Sequence, residues 1–355
     1  FADQTAAEIF IGRENTVYSP ISLYAALGML TELTDGETRQ QVMDLLGAAD
    51  TEVLRQQINR LWISVYQDGD AVCRLANAAF AREDADVKQA AVDALAEWYF
   101  ASSYRVPMGT EEADEAIASW LNQQTGGLLS EETGNIHTEE ENLLRLYNTI
   151  YYKAGWLDAF ESGQTGTDIF IAADGSKQQT DFMHRTDEGT YRKGEGYTAA
   201  PRRLKYGRMV FVLPDEGVTP ESLLARDGFL TELTGEYSMA DVVWSVPRFD
   251  VKSSVDLKDI LKALGVTDAF DENVADFTPL TDSGAVVSSV MQAARVKIDE
   301  DGVEAAAYTE IVADTTAAEE PPPVVEMNLN RPFLFVILND ANVPLFVGTV
   351  QTMAG

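Results

Sequence analysis

Apolar residues recur three and four positions apart through most of the first third of the chain. After about residue 145 they fall in short unbroken runs or at every second position. The first spacing predicts an apolar helix over Ile21–Leu33 and amphipathic helices over Glu37–Leu46, Thr51–Tyr66, Val87–Tyr99 and Glu112–Gln123. Ser19 offers a capping oxygen just before Pro20, whose fixed φ suits the first helical position. Thr125-Gly126-Gly127 is a stop signal after the last of these helices. The second spacing predicts strands over Leu144–Tyr152, Met209–Val212, Val242–Val246, Val324–Met327, Phe333–Leu338 and Pro344–Val350. Two helices, Pro220–Arg226 and Val255–Leu264, interrupt them. Helices first and strands later, with no internal repeat and no dividing linker, predict one α+β domain over residues 1–355 built on mixed, largely antiparallel sheet.

The stretch from Asp299 to Pro323 does not fit either spacing along its whole length. Every second residue from Val303 (Val303, Ala305, Ala307, Thr309, Ile311, Ala313, Thr315) is uncharged, and the interleaved set includes Glu304, Glu310 and Asp314. That is the pattern of a strand with one buried face. The stretch ends on Glu319, Glu320 and three prolines, which cannot donate to a sheet and favour exposed, extended chain. Read alone, it fits a solvated acidic helix or linker as well as it fits a strand, since Ala and Glu are good helix formers.

Composition narrows the function. The 355 residues are 45% hydrophobic and 9% aromatic, enough for a substantial core. Lys and Arg total 26 against 58 acids, a formal net charge of −32. That excludes a general nucleic-acid binder and opposes adsorption to anionic membrane, while favouring basic partners. No apolar run reaches the roughly 18–20 residues of a spanning helix. Cys73, among apolar neighbours, is the only cysteine, so no internal disulfide forms and the thiol reads as buried. The lack of an Asn-x-Ser/Thr acceptor accords with a bacterial source.

Catalytic chemistry is poorly provided for. His137 and His184 are the only histidines, neither lies in a His-Glu-x-x-His pattern, and Cys73 stands alone, so zinc and thiol chemistry lack ligands. There is no Gly-x-Ser-x-Gly elbow and no phosphate-binding glycine loop, although residue order alone leaves a Ser/His/Asp hydrolase open. The acids Glu131-Glu132 and Glu139–Glu141 read as a solvated face. The basic cluster Arg202, Arg203, Lys205 and Arg208 could bind a polyanion, but structural ion pairing is the better reading.

Several motifs, taken in order, resemble one family. Asn15-Thr16-Val17-Tyr18-Ser19-Pro20-Ile21-Ser22, then Trp120-Leu121-Asn122-Gln123-Gln124-Thr125-Gly126-Gly127 and Asn148-Thr149-Ile150-Tyr151-Tyr152-Lys153-Ala154-Gly155-Trp156, are similar to segments of the serpins, the serine protease inhibitors. Val246-Pro247-Arg248-Phe249, Leu264-Gly265-Val266-Thr267-Asp268-Ala269-Phe270, Ala275-Asp276-Phe277, Asn330-Arg331-Pro332-Phe333 and Pro344-Leu345-Phe346-Val347-Gly348 follow collinearly. The first helix is shorter than is usual in the family, which implies a truncated N-terminus.

The resemblance implies a serpin fold: a large central mixed sheet, surrounding helices and an exposed reactive-centre loop over about residues 300–323. Glu300, Gly302, Val303, Glu304, Ala305, Ala306 and Ala307 then form the hinge of that loop. In inhibitory members a protease cleaves the loop as an acyl-enzyme, and the freed segment enters the central sheet and carries the protease to the far end, where its active site is distorted. The uncharged Val303 and the small Ala305–Ala307 suit such insertion. About a dozen newly paired backbone groups at ~1 kcal/mol each give ~10 kcal/mol, comparable to a domain's whole stability. The family's hinge-to-cleavage distance places the scissile bond at Thr316–Ala317, with Thr315–Thr316 and Ala317–Ala318 as alternatives. Thr316 as acyl donor implies an elastase-like target. The absence of Arg and Lys between Glu300 and Asn330 disfavours trypsin-like ones.

The resemblance further implies a sheet-opening network of Ser19, Ser22 and Asn148, with Gln292 where the family usually has His. It implies a hinge-docking site in which Trp156 lies near Glu300 and Arg248 pairs with that carboxylate. The expected protein is an extracellular or cell-surface monomer, prone to polymerise by donating its mobile strand. It needs no cofactor or metal, and its partner is a serine protease. The rival readings are a serpin-fold carrier or chaperone that does not inhibit, and an unrecognised hydrolase.

Overall fold

A computed structural model of the chain describes residues 1–130, 134, 136–288, 290–303 and 322–353. The strands, numbered in chain order, are β1 (Thr16–Tyr18), β2 (Gln67–Asp68), β3 (Val72–Arg82), β4 (Ala101–Val106), β5 (Leu144–Gly155), β6 (Gly166–Ile171), β7 (Lys177–Gly194) and β8 (Tyr197–Arg203). They continue as β9 (Arg208–Pro214), β10 (Ser238–Pro247), β11 (Phe249–Asp256), β12 (Met291–Ile298), β13 (Gly302–Val303), β14 (Val324–Asn328), β15 (Phe333–Leu338) and β16 (Pro344–Val350).

They form two sheets. One runs β1-β16-β15-β9-β8-β7-β10-β14, with β6 also on β7. The other runs β11-β12-β13-β5-β3-β2, with β4 also on β3. Both are mixed: β10 pairs parallel with β14 and β3 parallel with β4, and the remaining pairs are antiparallel. The 18-residue β7 serves three neighbours, pairing with β6 along Lys177–Phe182, with β10 along Phe182–Tyr191 and with β8 along Arg192–Gly194. β15, Phe-Leu-Phe-Val-Ile-Leu, is buried on both faces, which is why it reads as an unbroken apolar run and not as an alternation.

The helix Pro20–Leu33 packs against strands of both sheets, β5 and β16, and supplies Leu23, Leu27, Leu30 and Leu33 to a core that also holds Val210, Val212, Leu334 and Val336. Its start follows the predicted chemistry, with Ser22 N–H donating to Ser19 Oγ at 3.3 Å. Asp35 and Asp50 cap the next two helices, Gly36–Leu46 and Thr51–Val65. A second core gathers Trp156, Phe211, Trp244, Phe333 and Phe335 between the sheets.

Two expectations are corrected. The predicted helix Val255–Leu264 is in fact the end of β11 followed by a shorter helix, Lys258–Ala263. Phe249, Val251 and Val255 alternate inward, and β-branched Val255 pairs with Gln292, so the period of two wins until Asp256. The first third also holds four strands, β1 to β4. The Ala-rich β3 has only Val72 and Phe80 as strong strand formers and is fixed by neighbours on both sides, β5 and β4.

Candidate functional site

Beyond the end of β12 the chain turns tightly and comes back into the same sheet. Asp299 N–H donates to Gly302 O at 3.1 Å and closes the turn. β13 then lies between two strands, with Val303 opposite Ile298 of β12 and Ala154 of β5, and Gly302 opposite Gly155. Among the described residues, Gly302 and Val303 are what joins β12 to β5, because no direct pairing links those two strands. Val303 is 3% exposed, consistent with an uncharged residue at this place.

Residues 299–302 are held chiefly by the chain that follows β5. Trp156 Nε1–H donates to Asp299 O at 2.9 Å, Trp156 N–H to Asp301 O at 2.8 Å, and Phe160 N–H to Glu300 O at 3.0 Å. The Glu300 carboxylate is nearly buried and receives Arg248 in a fork, Nε to Oε2 at 3.0 Å and Nη2 to Oε1 at 2.5 Å. Thr165 Oγ1 donates to the same carboxylate, and Arg248 also reaches Asp181 at 3.4 Å. Burial alone would raise the Glu300 carboxyl. The Arg248 and Thr165 hydrogen bonds outweigh it and hold the group below its ordinary value. Glu300, Trp156 and Arg248 are therefore brought together, Trp156 through the backbone on either side of Glu300.

The four residues of the predicted sheet-opening network are also brought together, in two linked parts. The Gln292 side chain clasps the Ser19 backbone, accepting from Ser19 N–H at 3.0 Å and donating to Ser19 O at 3.0 Å. Ser22 Oγ donates to Asn148 Oδ1, Asn148 Nδ2 to Asn77 Oδ1 at 2.5 Å, and Asn77 Nδ2 to Tyr99 O at 2.6 Å. The start of the helix Pro20–Leu33 thus bridges β12, through Gln292, to β5 and β3, through Asn148 and Asn77. Gln292 bonds to backbone and not to Asn148.

Sequence reasoning missed Asn77, Thr165 and Phe160. An Asn flanked by alanines inside a strand is a usable signal for a buried polar contact. Thr165 and Phe160 carry none, because their role comes from where the loop after β5 lies. Downstream, Asp241 N–H donates to Pro323 O at 3.0 Å, which anchors the chain where it joins β14. Glu304, Ala305, Ala306, Ala307, Thr316, Ala317, Glu319 and Glu320 lie outside the described residues, as do Glu131 and Glu132.

Other candidates are accounted for by packing. Arg202 pairs with Asp187, and Arg208 donates to Asn342 Oδ1 at 2.5 Å. Cys73 is fully buried, and burial pushes its thiol up to about 12. Exposed His137 sits 3.3 Å from Asp114, and His184 lies opposite Ser245 in the β7–β10 register. No group of three or more metal-ligating side chains is found among the described residues.

Comparison with known proteins agrees with this geometry. The family model described as "Serpin (serine protease inhibitor)" matches residues 2–353. Serpin-Z1A of Triticum aestivum is 30% identical over 357 residues, covering 95% of this chain and 89% of the wheat protein. Plasminogen activator inhibitor 1 of Neovison vison is 28% identical over 355 residues, covering 95% and 87%. Among solved structures, the thermophilic serpin tengpin in its native state superposes with a TM-score of 0.88 at 24% identity, covering 99% of this chain and 92% of tengpin. Thyroxine-binding globulin in complex with thyroxine superposes at 0.86, also at 24% identity, covering 100% and 98%. The two structural likenesses speak for the fold alone. With the family model matching nearly end to end, the chain belongs to the serpin family.

Proposed function

We propose that this chain inhibits serine proteases as a suicide substrate, with no catalytic turnover and no cofactor. One observation carries the reading: Gly302 and Val303 stand as a short strand between β12 and β5, and the residues that follow continue the same uncharged alternation. A chain cut beyond Val303 has a started strand to extend, and each added residue satisfies backbone groups on both neighbours. Glu304, Ala305, Ala306 and Ala307 are the next to enter. Cleavage is at Thr316–Ala317, and Thr316 directs the inhibitor to proteases whose pocket takes small side chains. Glu319 and Glu320 add attraction to a basic rim on the protease. Ser19, Ser22, Asn148 and Gln292 resist opening of the sheet. Trp156, Arg248 and Glu300 hold the hinge. The protein acts as a monomer outside the cell.

The test is incubation with an elastase-like serine protease. A covalent complex that survives boiling in detergent is expected. Clean cleavage without a complex would instead assign the chain to serpins that do not inhibit.

A further inference from the structure

The segment 157–160, which grips the hinge, is itself gripped from behind by a cationic cluster that the inhibitory reading leaves without a role. Arg202, on β8, is 5% exposed. Its guanidinium carbon lies 4.2 Å from the centroid of the Phe160 ring and 5.6 Å from those of Trp156 and Trp244. It donates to the Asp158 carbonyl and, at 3.1 Å, to Asp187 Oδ2. Asp187 also accepts from Arg185 Nε at 2.5 Å and from Trp244 Nε1 at 3.0 Å. Arg185 in turn donates to Ala159 O at 2.8 Å.

Two arginines, locked by one shared carboxylate, therefore hold the successive carbonyls of Asp158 and Ala159. The next amide is Phe160 N–H, which holds Glu300 O. Phe160 also carries the ring nearest Arg202, and a second of the three rings belongs to Trp156, which holds Asp299 O and Asp301 O. This is an expensive way to fill space. A buried guanidinium must be desolvated, and Arg202 Nε has no acceptor among the described residues. A methionine would pack against the same three rings without that cost, but it could hold no carbonyl. What the charge supplies is position.

We propose that Arg202 is a positioning residue for loop insertion. Acting through Asp158, Phe160 and Trp156, it fixes the groups that dock residues 299–303, so that insertion begins from a formed strand end. Without it the first pairing must be closed anew before the strand can extend, and hydrolysis of the acyl-enzyme gains ground. The proposal rests on the inhibitory reading and adds a control point to it.

The experiment compares the full chain with R202M and R202K variants in two measurements. Amide hydrogen exchange on the uncleaved protein reads the grip directly. Titration of an elastase-like protease reads how many inhibitor molecules are consumed per covalent complex. In R202M the Trp156 and Phe160 amides are expected to exchange at least tenfold faster, with β15 amides unchanged, and inhibitor consumption to rise several-fold. R202K, which keeps the charge and loses the fork, is expected between R202M and the parent, and it decides the matter should R202M not fold. Unchanged exchange at Trp156 and Phe160 would overturn the grip. Faster exchange with unchanged consumption would show Arg202 to be merely structural. A parent chain that forms no complex at all would remove the inhibitory reading, while the exchange arm would still decide the grip.

Discussion

Gly302 lies opposite Gly155 where β13 meets β5, and there is no room for a side chain on it. A Cβ at Gly302 would stand 2.5 Å from the Ala154 carbonyl oxygen and 2.6 Å from Gly155 Cα, and its φ of +145° is one that L-residues rarely adopt. A Cβ at Gly155 would in turn press to 3.2 Å on Asp301 O. The close pair lets the β13 backbone sit against β5.

Replacing Gly302 by alanine should therefore force β13 away from β5. We expect a loss of about 1–3 kcal/mol, the usual range for forcing a side chain into such a conformation. Denaturant unfolding of the uncleaved protein would register it. G163A, at a glycine with open space around it, is the control expected to cost little.

The Glu300–Arg248 pair gives the turn before β13 a pH dependence. The Glu300 carboxyl is held below its ordinary value of 4.5, so the folded state binds its proton less readily than the unfolded chain does. The associated stability is fully present at neutral pH. It is lost as the pH falls through 4.5 and on through the lower value of the folded state. Because the Arg248 side chain is 44% exposed, solvent screens the pair, and E300Q should cost only about 1–2 kcal/mol at pH 7. The difference between E300Q and the parent should shrink in acid. A gap that persists unchanged at pH 3 would contradict the assignment.

Gln292 uses both ends of its amide on Ser19, one accepting and one donating. Glutamate at this position can still accept from Ser19 N–H but presents a second acceptor to Ser19 O. Q292E is expected to lose about 1–3 kcal/mol at pH 7, the cost of an unsatisfied and repelled buried group, and to recover in part in acid as the new carboxyl protonates. Thermal unfolding across pH checks both statements.

Target choice is predicted to follow Thr316. T316R should abolish complex formation with an elastase-like protease and create it with a trypsin-like one. Active-site titration of the two proteases distinguishes the outcomes.

Much of this architecture could be read from residues alone, and the exceptions have physical causes. Phe333–Leu338 and Pro344–Val350 were legible to the residue because apolar runs bounded by turn formers have few alternatives. The Ser19 cap and Pro20 start were legible because capping is local chemistry. β3 was not, since its alanines carry no strand preference and its pairing is imposed by β5, some seventy residues later in the chain. The docking site divides the same way. The meeting of Glu300, Arg248 and Trp156 could be named in advance from motifs. Thr165 and Arg202 matter only through contacts that the fold creates, and Arg202 in isolation read as one charge in a basic cluster.

The central claim is that the uncleaved chain is metastable and gains its full stability only when the loop has entered the sheet. Thermal unfolding before and after a single cut at Thr316–Ala317 tests it most directly. The account predicts a rise in the unfolding temperature of tens of degrees, in keeping with ~10 kcal/mol of new backbone pairing. An unfolding temperature that stays where it was would contradict it.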